Sequence, residues 1–551
     1  MAVDDSFPLL YSRTQHFTLG NPRSFAIAPG GHRVVFLRSA SGTDARLHLW
    51  SLDIAGDECE EREIVDPTTL LVEGDESLSA DERARRERIR ESAAGIVAYS
   101  TDEAVRTAAF AMSGRLFTAD LVNGTTREIT TRTPVADPRL SRDGSTIAYV
   151  CSGELRVVAA DGADDRAIAT PDGDNVTFGL ADFIAAEEFR RFRGHWWSPA
   201  GNRLLVERVD ESAVGQWWIS DPSDPAAESR SIRYPAAGTP NADVRLSIVD
   251  LDGRAVEVDW DRDALPYVVD VAWSNSMPPL VYVMSRDQAT AAALSVDVET
   301  GATTPILEQH DDAWVERVDG APRWTPDGRL VHVEDADDVR RLVIDGTVLT
   351  GADLHIRAVV DASDDAVVFV ASSGVASSDT EIGETHVYRV AVDDRGRPPQ
   401  RLSDEPGEHN AVCGGGLTVL TSATLTSSAQ VTRVLRDDRP IVQVDSHAVE
   451  PGFAPRFELV ELGDRRIPTV VQLPSGYADG DGLLPVLIAS YAGPVVPTVL
   501  CSLRMQLLTQ WFADQGFAVL VIDGRGTPGH SVSWEKAVRH DLAGPTLDDQ
   551  I

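Results

Sequence analysis

From about residue 20 to residue 450, short apolar runs rich in Val, Ile, Leu, Tyr and Trp alternate with Asp-Gly, Pro-Gly and Ser-Gly breaks. That rhythm predicts short strands joined by tight turns. One unit recurs: an aromatic or apolar residue, then Ser/Thr-Pro-x-Gly or a relative of it, then a strand. It reads F-A-I-A-P-G-G-H-R-V-V-F-L from Phe25, P-R-L-S-R-D-G-S-T-I-A-Y-V from Pro138 and W-W-S-P-A-G-N-R-L-L-V from Trp196. It returns as P-R-W-T-P-D-G-R-L-V-H-V from Pro322, with V-A-W-S-N-S-M-P-P-L-V-Y-V from Val271 as a variant. Pro presets φ and Gly takes positive φ, so each unit encloses a hairpin turn. Close units lie roughly 50–75 residues apart, about one four-stranded blade with its loops. The pattern predicts an irregular β-propeller over 21–450, with eight blades the expected number.

Two segments interrupt this texture. Ser79–Ala94 reads as a charged helix, with Asp81 and Glu82 near its start and few apolar positions. It is expected to project as an arm, a lid or an oligomer contact, because it has too little apolar surface for a core. Asp182–Pro199, D-F-I-A-A-E-E-F-R-R-F-R-G-H-W-W-S-P, places Glu187 and Glu188 side by side among Phe183, Ile184, Phe189 and Phe192. Neighbouring helical side chains diverge by about 100°, so adjacent carboxylates converge only at a helix end or a bent turn. A converging pair suits an ammonium group, with its three donors and one charge. Otherwise the two acids form a solvated face paired with Arg190, Arg191 and Arg193.

After about residue 455 the pattern changes. R-F-E-L-V-E-L and R-I-P-T-V-V-Q-L-P predict a hairpin turning near Gly463 and Asp464. P-V-L-I-A-S-Y (485–491) and F-A-V-L-V-I-D (517–523) are near-continuous apolar runs, typical of strands buried on both faces. Between them 502–515 predicts an amphipathic helix stopped by Gly516, and further helices are expected at about 533–542 and from a Thr546…Asp549 capping box. Alternating strands and helices predict the beginning of a parallel α/β domain over 451–551. The last helix opens about where the sequence stops, so the chain reads as part of a longer protein. Residues 1–20 are expected to pack on this α/β portion.

Composition narrows the class of partner. The 551 residues carry a formal net charge of −37. This disfavours nucleic acid and anionic membranes. Cys59, Cys151, Cys413 and Cys501 are far apart and form no C-x-x-C pair, which favours free thiols over a disulfide framework or a zinc site. The first residues lack a signal-peptide pattern and no apolar run reaches membrane-spanning length, so a cytoplasmic location is expected. No metal cluster, Walker loop or dinucleotide fingerprint is visible, so no cofactor is expected.

An α/β domain suggests a hydrolase, yet no G-x-S-x-G elbow occurs. G-H-S-V-S at Gly529 is the nearest string, and Ser531, His530, His540 and Asp541 are too crowded for a triad assembled from separate loops. Tyr491 is better placed, at the carboxyl end of a predicted buried strand. A phenol there can donate to a developing oxyanion; a Tyr that merely packs is the alternative.

Taken with Y-A-G-P from Tyr491 and D-G-R-G from Asp523, the E-E…W-W-S-P string resembles the dipeptidyl peptidase IV branch of the prolyl oligopeptidase family of serine peptidases. The resemblance spans nearly the whole chain. It implies that Glu187 and Glu188 bind the free α-amino group of a peptide, that Tyr491 serves the oxyanion hole, and that Arg106 contacts a substrate carbonyl. It also implies that the catalytic Ser, Asp and His have no matching positions in these 551 residues, and that the full-length protein forms a homodimer. The implied activity is release of N-terminal X-Pro or X-Ala dipeptides. A non-catalytic binding propeller and an acylaminoacyl-peptidase-like hydrolase are the alternatives; a blocked N-terminus offers the glutamates no cation to pair with.

Overall fold

The computed structural model describes residues 6–56, 58–70, 76–226, 228–273, 277–378, 381–394, 397–478, 480–491 and 493–551. Part of the Val271 unit, 274–276, and Ala492 of Y-A-G-P lie outside them.

The Pro138, Trp196 and Pro322 units build their turn the same way. In the Pro138 unit, Gly144 N–H donates to Ser141 O (2.9 Å) and Ser141 N–H to Thr146 O (2.8 Å). Thr146 N–H also donates to the Ser141 hydroxyl (3.0 Å). The Trp196 unit repeats this with Gly201, Ser198 and Arg203, and the Pro322 unit with Gly328, Thr325 and Arg329. The three glycines have φ of +73°, +67° and +91°. The motif thus fixes a hairpin by supplying one left-handed residue and one hydroxyl acceptor.

Each such hairpin lies in an antiparallel sheet, and eight such sheets follow one another among the described residues of 23–444. The chain divides into two compact units, 63–315 and 1–62 with 316–551. Within 63–315 lie the sheets beginning at Ser100, Ala136, Val176 and Tyr267, and each packs on the next. Tyr149 and Ala109 share one core, Leu155 and Leu204 a second, Leu246 and Val281 a third. In the other unit the sheet beginning at Arg23 packs on the one beginning at Gly407, through Phe36, Leu52, Val419 and Val434. The first and last of the eight sheets in sequence therefore share a core.

Helix α1 (Phe7–Arg13) stacks Phe7 against Trp511, with ring centroids 6.3 Å apart, and meets Phe453 edge-on. Helix α2 (Ala80–Arg88) is shorter than the sequence suggests and does not project. Arg86 is 6% exposed and pairs with Glu76 (2.6 Å) and Glu82 (2.9 Å). Paired arginines can be buried without an apolar stripe, which hydrophobic periodicity alone cannot anticipate.

The α/β portion holds one sheet, ordered Phe457–Leu462, Ile467–Gln472, Ala518–Ile522, Val486–Ile488. Only the last two strands run parallel. Within these 551 residues strand Val486–Ile488 pairs on one side only and Val486 and Ile488 are 59% and 42% exposed, so the expected burial on both faces is not seen there. Thr546 does not cap the last helix. That helix, α6 (Gly544–Gln550), starts two residues earlier, and Asp549 instead receives Arg525 N–H at 2.7 Å. Helix α4 (Leu507–Ala513), stopped by Gly516, links Val486–Ile488 to Ala518–Ile522, and α5 (Val532–Lys536) precedes α6.

Candidate functional site

Helix α3 (Phe183–Glu187) begins at Asp182, whose carboxylate accepts from Ile184 N–H (3.0 Å) and Ala185 N–H (3.4 Å). Ala185 and Ala186 are buried, Glu187 is the last helical residue and Glu188 the C-cap. Arg190 then takes φ +53°, turning the chain sharply into strand Arg193–Trp197. The two glutamates thus sit where adjacent side chains can converge, at a helix end followed by a bend. Gly194 permits the turn's close return: a Cβ there would lie 2.5 Å from the Leu180 carbonyl carbon.

The arginines of the segment do not neutralise the glutamates. Among the described residues no ion pair joins Glu187 or Glu188 to Arg190, Arg191 or Arg193. Glu187 has one long contact, 3.4 Å to Arg90, whose side chain is 79% exposed. Glu188 is exposed; its backbone N–H caps α3 on Ile184 O (2.9 Å), and its side chain makes no hydrogen bond or ion pair among the described residues. Pairing of the two glutamates with Arg190, Arg191 and Arg193 is therefore not what forms.

Arg191 is spent beneath the site. It is 4% exposed, pairs with Glu207 (2.5 Å) and Asp182 (3.4 Å), and donates to Arg193 O (2.7 Å) and Val268 O (3.1 Å). Glu207 in turn accepts Asp182 N–H at 3.0 Å. Burial pushes the Glu207 carboxyl up to about 7 even with Arg191 beside it, and raises Asp182 as well. One guanidinium thereby ties the start of α3 to three neighbouring strands beneath the glutamates.

Sequence reading missed the contribution of α2. Arg88 lies over the Phe183 ring (5.4 Å), and Arg85 and Arg88 line a pocket of about 50 Å³ with Ala186 and Phe192. The arginine run in S-A-D-E-R-A-R-R-E-R-I-R was the available signal. Arg106 is exposed in the turn before strand Thr107–Met112, and its side chain makes no hydrogen bond or ion pair among the described residues. No contact brings it to Glu187 or Glu188.

In the α/β portion Tyr491 lies three residues beyond strand Val486–Ile488 and is 40% exposed. Its phenol has no hydrogen-bond partner among the described residues. The segment after it is pinned by Asp523, which accepts from Thr498 N–H (2.8 Å), the Thr498 hydroxyl (2.6 Å) and Val499 N–H (2.8 Å). Burial raises the Asp523 carboxyl against those donors. Ser531 caps α5 through Trp534 N–H and His530 packs on the Trp534 ring, so both have structural roles. Glu381, Glu384 and His386 bring possible metal-ligand atoms within 4.8 Å of one another, but Arg401 already pairs with Glu381 at 2.7 Å.

Comparison with known proteins places these features in one family. The profile described as "Dipeptidyl peptidase IV (DPP IV) N-terminal region" matches residues 92–431, and that of the prolyl oligopeptidase family matches 503–551. The chain belongs to the dipeptidyl peptidase IV branch of the prolyl oligopeptidase family. A probable dipeptidyl-aminopeptidase B from Emericella nidulans is 25% identical over 444 residues, covering 70% of this chain and 47% of that protein. Dipeptidyl peptidase 4 from Felis catus is 22% identical over 457 residues, covering 75% and 59%. The crystal structure of Porphyromonas gingivalis dipeptidyl peptidase 4 superposes with a TM-score of 0.79 at 18% identity, covering 98% of this chain and 76% of that one. The fold is thus a β-propeller followed by the start of an α/β-hydrolase domain. The chain spans about half the length of the curated relatives it matches.

Proposed function

We propose that this chain carries the substrate-anchoring part of a serine exopeptidase that releases N-terminal X-Pro or X-Ala dipeptides, with the acyl-transfer residues outside these 551 residues. The observation that carries the reading is the pair Glu187 and Glu188, held at a helix end, whose one ion pair among the described residues is the 3.4 Å contact of Glu187 with the exposed Arg90. Two carboxylates about 4 Å from an ammonium contribute on the order of 4 kcal/mol each at an effective dielectric near 20, before desolvation. That is enough to hold a peptide's N-terminus in one register, which sets the cut two residues in. Tyr491 would donate to the oxyanion, and Arg106 would meet a substrate carbonyl. A cytoplasmic location and a homodimer of the full-length protein belong to the same reading. Among the described residues no helix is long and apolar enough to cross a membrane.

The test compares Gly-Pro-p-nitroanilide with its N-acetylated form. Full-length protein is expected to cleave the free-amine substrate and the 551-residue chain to cleave neither. Glu187→Gln with Glu188→Gln in full-length protein should lower kcat/KM at least about a hundredfold, the equivalent of some 3 kcal/mol. Equal turnover of the acetylated substrate would instead support an acylaminoacyl-peptidase-like hydrolase. No cleavage by the full-length protein would support a non-catalytic propeller.

A further inference from the structure

The unit containing 316–551 encloses a cavity of about 310 Å³, walled by the sheet Leu354–Arg401 on one side and by the α/β portion on the other. Segment 523–530, at the carboxyl end of strand Ala518–Ile522, forms part of its wall. Ligand crevices in α/β sheets open at such strand ends.

Arg357 faces this cavity. It sits at a β-bulge: the register between strands Leu354–Ala362 and Ala366–Ser373 slips between Ile356 and Ala358, leaving Arg357 without a pairing partner. A bulge re-aims a side chain out of the ladder. The loop opposite closes tightly on the guanidinium: a Cβ at Gly529 would lie 2.9 Å from Arg357 Nη1, and Gly529 O accepts from the Ser372 hydroxyl at 2.7 Å.

Among the described residues the guanidinium has no hydrogen-bonded anion; the carboxylates whose charge reaches it are Glu535 and, more weakly, Glu316. Among the described residues Arg357 donates no hydrogen bond, and its nearest carboxylate is Glu535, at 3.6 Å. Glu535 is already engaged by Gly529 N–H (2.7 Å), Arg340 (2.8 Å) and His355 (3.2 Å). The other acids of the wall are committed too. Glu381 pairs with Arg401, Glu384 with His386, Glu461 with Arg466, and Asp523 with the Thr498–Val499 backbone. Asp464 is at the exposed rim. The Arg357 side chain is only 21% exposed, so water compensates its charge poorly. A planar fork of donors facing an enclosed space matches a carboxylate bidentately.

We propose that this cavity is a carboxylate-binding site anchored by Arg357, taking the acidic side chain or the C-terminal carboxylate of a peptide. With a chain charge of −37, general attraction of anions is absent, so any affinity for a carboxylate has to come from such a local group. The peptide source rests on the proposed exopeptidase function; the carboxylate chemistry does not.

The test uses the 551-residue chain and two probes without a free amine, N-acetylglutamate α-amide and its neutral counterpart N-acetylglutamine α-amide. Binding is followed by titration calorimetry and by fluorescence of Trp534, which lines the cavity. The glutamate probe is expected to bind about tenfold tighter or more, with Arg357→Gln erasing the difference and Arg357→Lys keeping part of it. Equal affinity for the two probes, or an unchanged difference in Arg357→Gln, overturns the proposal. The probe comparison on the unaltered chain decides even if Arg357→Gln does not fold. Three peptides then separate the sources: Ala-Pro-Gly-Glu-amide, Ala-Pro-Gly-Gln with a free C-terminus, and Ala-Pro-Gly-Gln-amide. An Arg357-dependent gain for the first marks the side chain and for the second the C-terminus; no gain for either overturns the peptide assignment. Because the acetylated probes cannot use Glu187 and Glu188, failure here is distinguishable from failure of the amine site.

Discussion

Replacing Arg191 by Met keeps most of its length and removes its charge and donors. It leaves Glu207, 0% exposed, and Asp182, 8% exposed, without their shared cation. Breaking a buried pair from one side costs about 3–5 kcal/mol. The pH dependence is what makes the change diagnostic. In the unaltered chain the folded Glu207 carboxyl lies at about 7, above its ordinary 4.5. Its contribution is therefore fully present below about 4.5 and lost as pH rises to about 7, with no further loss above that. Without Arg191 its folded pKa moves higher still. The variant then continues to lose up to about 1.4 kcal/mol per pH unit above 7 while the unaltered chain does not. Urea denaturation at pH 6.5, 7.5 and 8.5 should show a deficit that widens with pH, and Arg191→Met with Glu207→Gln should remove the widening. A deficit that is constant over this range, or one unaffected by Glu207→Gln, would refute the assignment of Arg191 as the counter-charge beneath the two glutamates.

Glu535→Gln should lower stability at pH 7 by roughly 2–4 kcal/mol, because Arg340 and His355 lose a buried anion. Arg340 and His355 hold the Glu535 carboxyl far below its ordinary 4.5 despite burial, so that contribution exists above about 4.5 and disappears as pH falls. The variant's acid unfolding limb should accordingly be flatter, which fluorescence-monitored acid titration would show. Gly194→Ala should cost at least about 2 kcal/mol through the clash with the Leu180 carbonyl, and should weaken amine binding more than it changes the far-UV spectrum. An alanine variant of normal stability would mean that the close approach is not required.

The propeller sheets were legible because their information is local. A Ser or Thr, a turn residue and a Gly within seven positions specify a hairpin whose turn-closing hydrogen bonds fall within that hairpin, as at Ser141, Ser198 and Thr325. The double glutamate was legible as a string for the same reason. What a string cannot show is which arginine meets which acid. Arg190, Arg191 and Arg193 all stood within reach of Glu187 and Glu188 in sequence, yet Arg191 is turned inward to Glu207, nineteen positions from Glu188, and Arg90 reaches Glu187 from just beyond α2.

The strand 485–491 makes the same point for burial. Its apolar run correctly marked a strand, but burial on both faces depends on neighbours, and within these 551 residues Val486–Ile488 pairs on one side only. Thr546 and Asp549 had the spacing of a capping box, but long-range pairing with Arg525 and Arg465 claims the aspartate. The sequence by itself determined the elements, the turns and the adjacent glutamates, because these depend on φ/ψ preferences and on spacing along the chain. Only the tertiary structure decided which charges are neutralised and which, like Glu188 and Arg357, are left facing open space. That outcome is set by distances between residues far apart in sequence and by the burial that makes an unmatched charge costly.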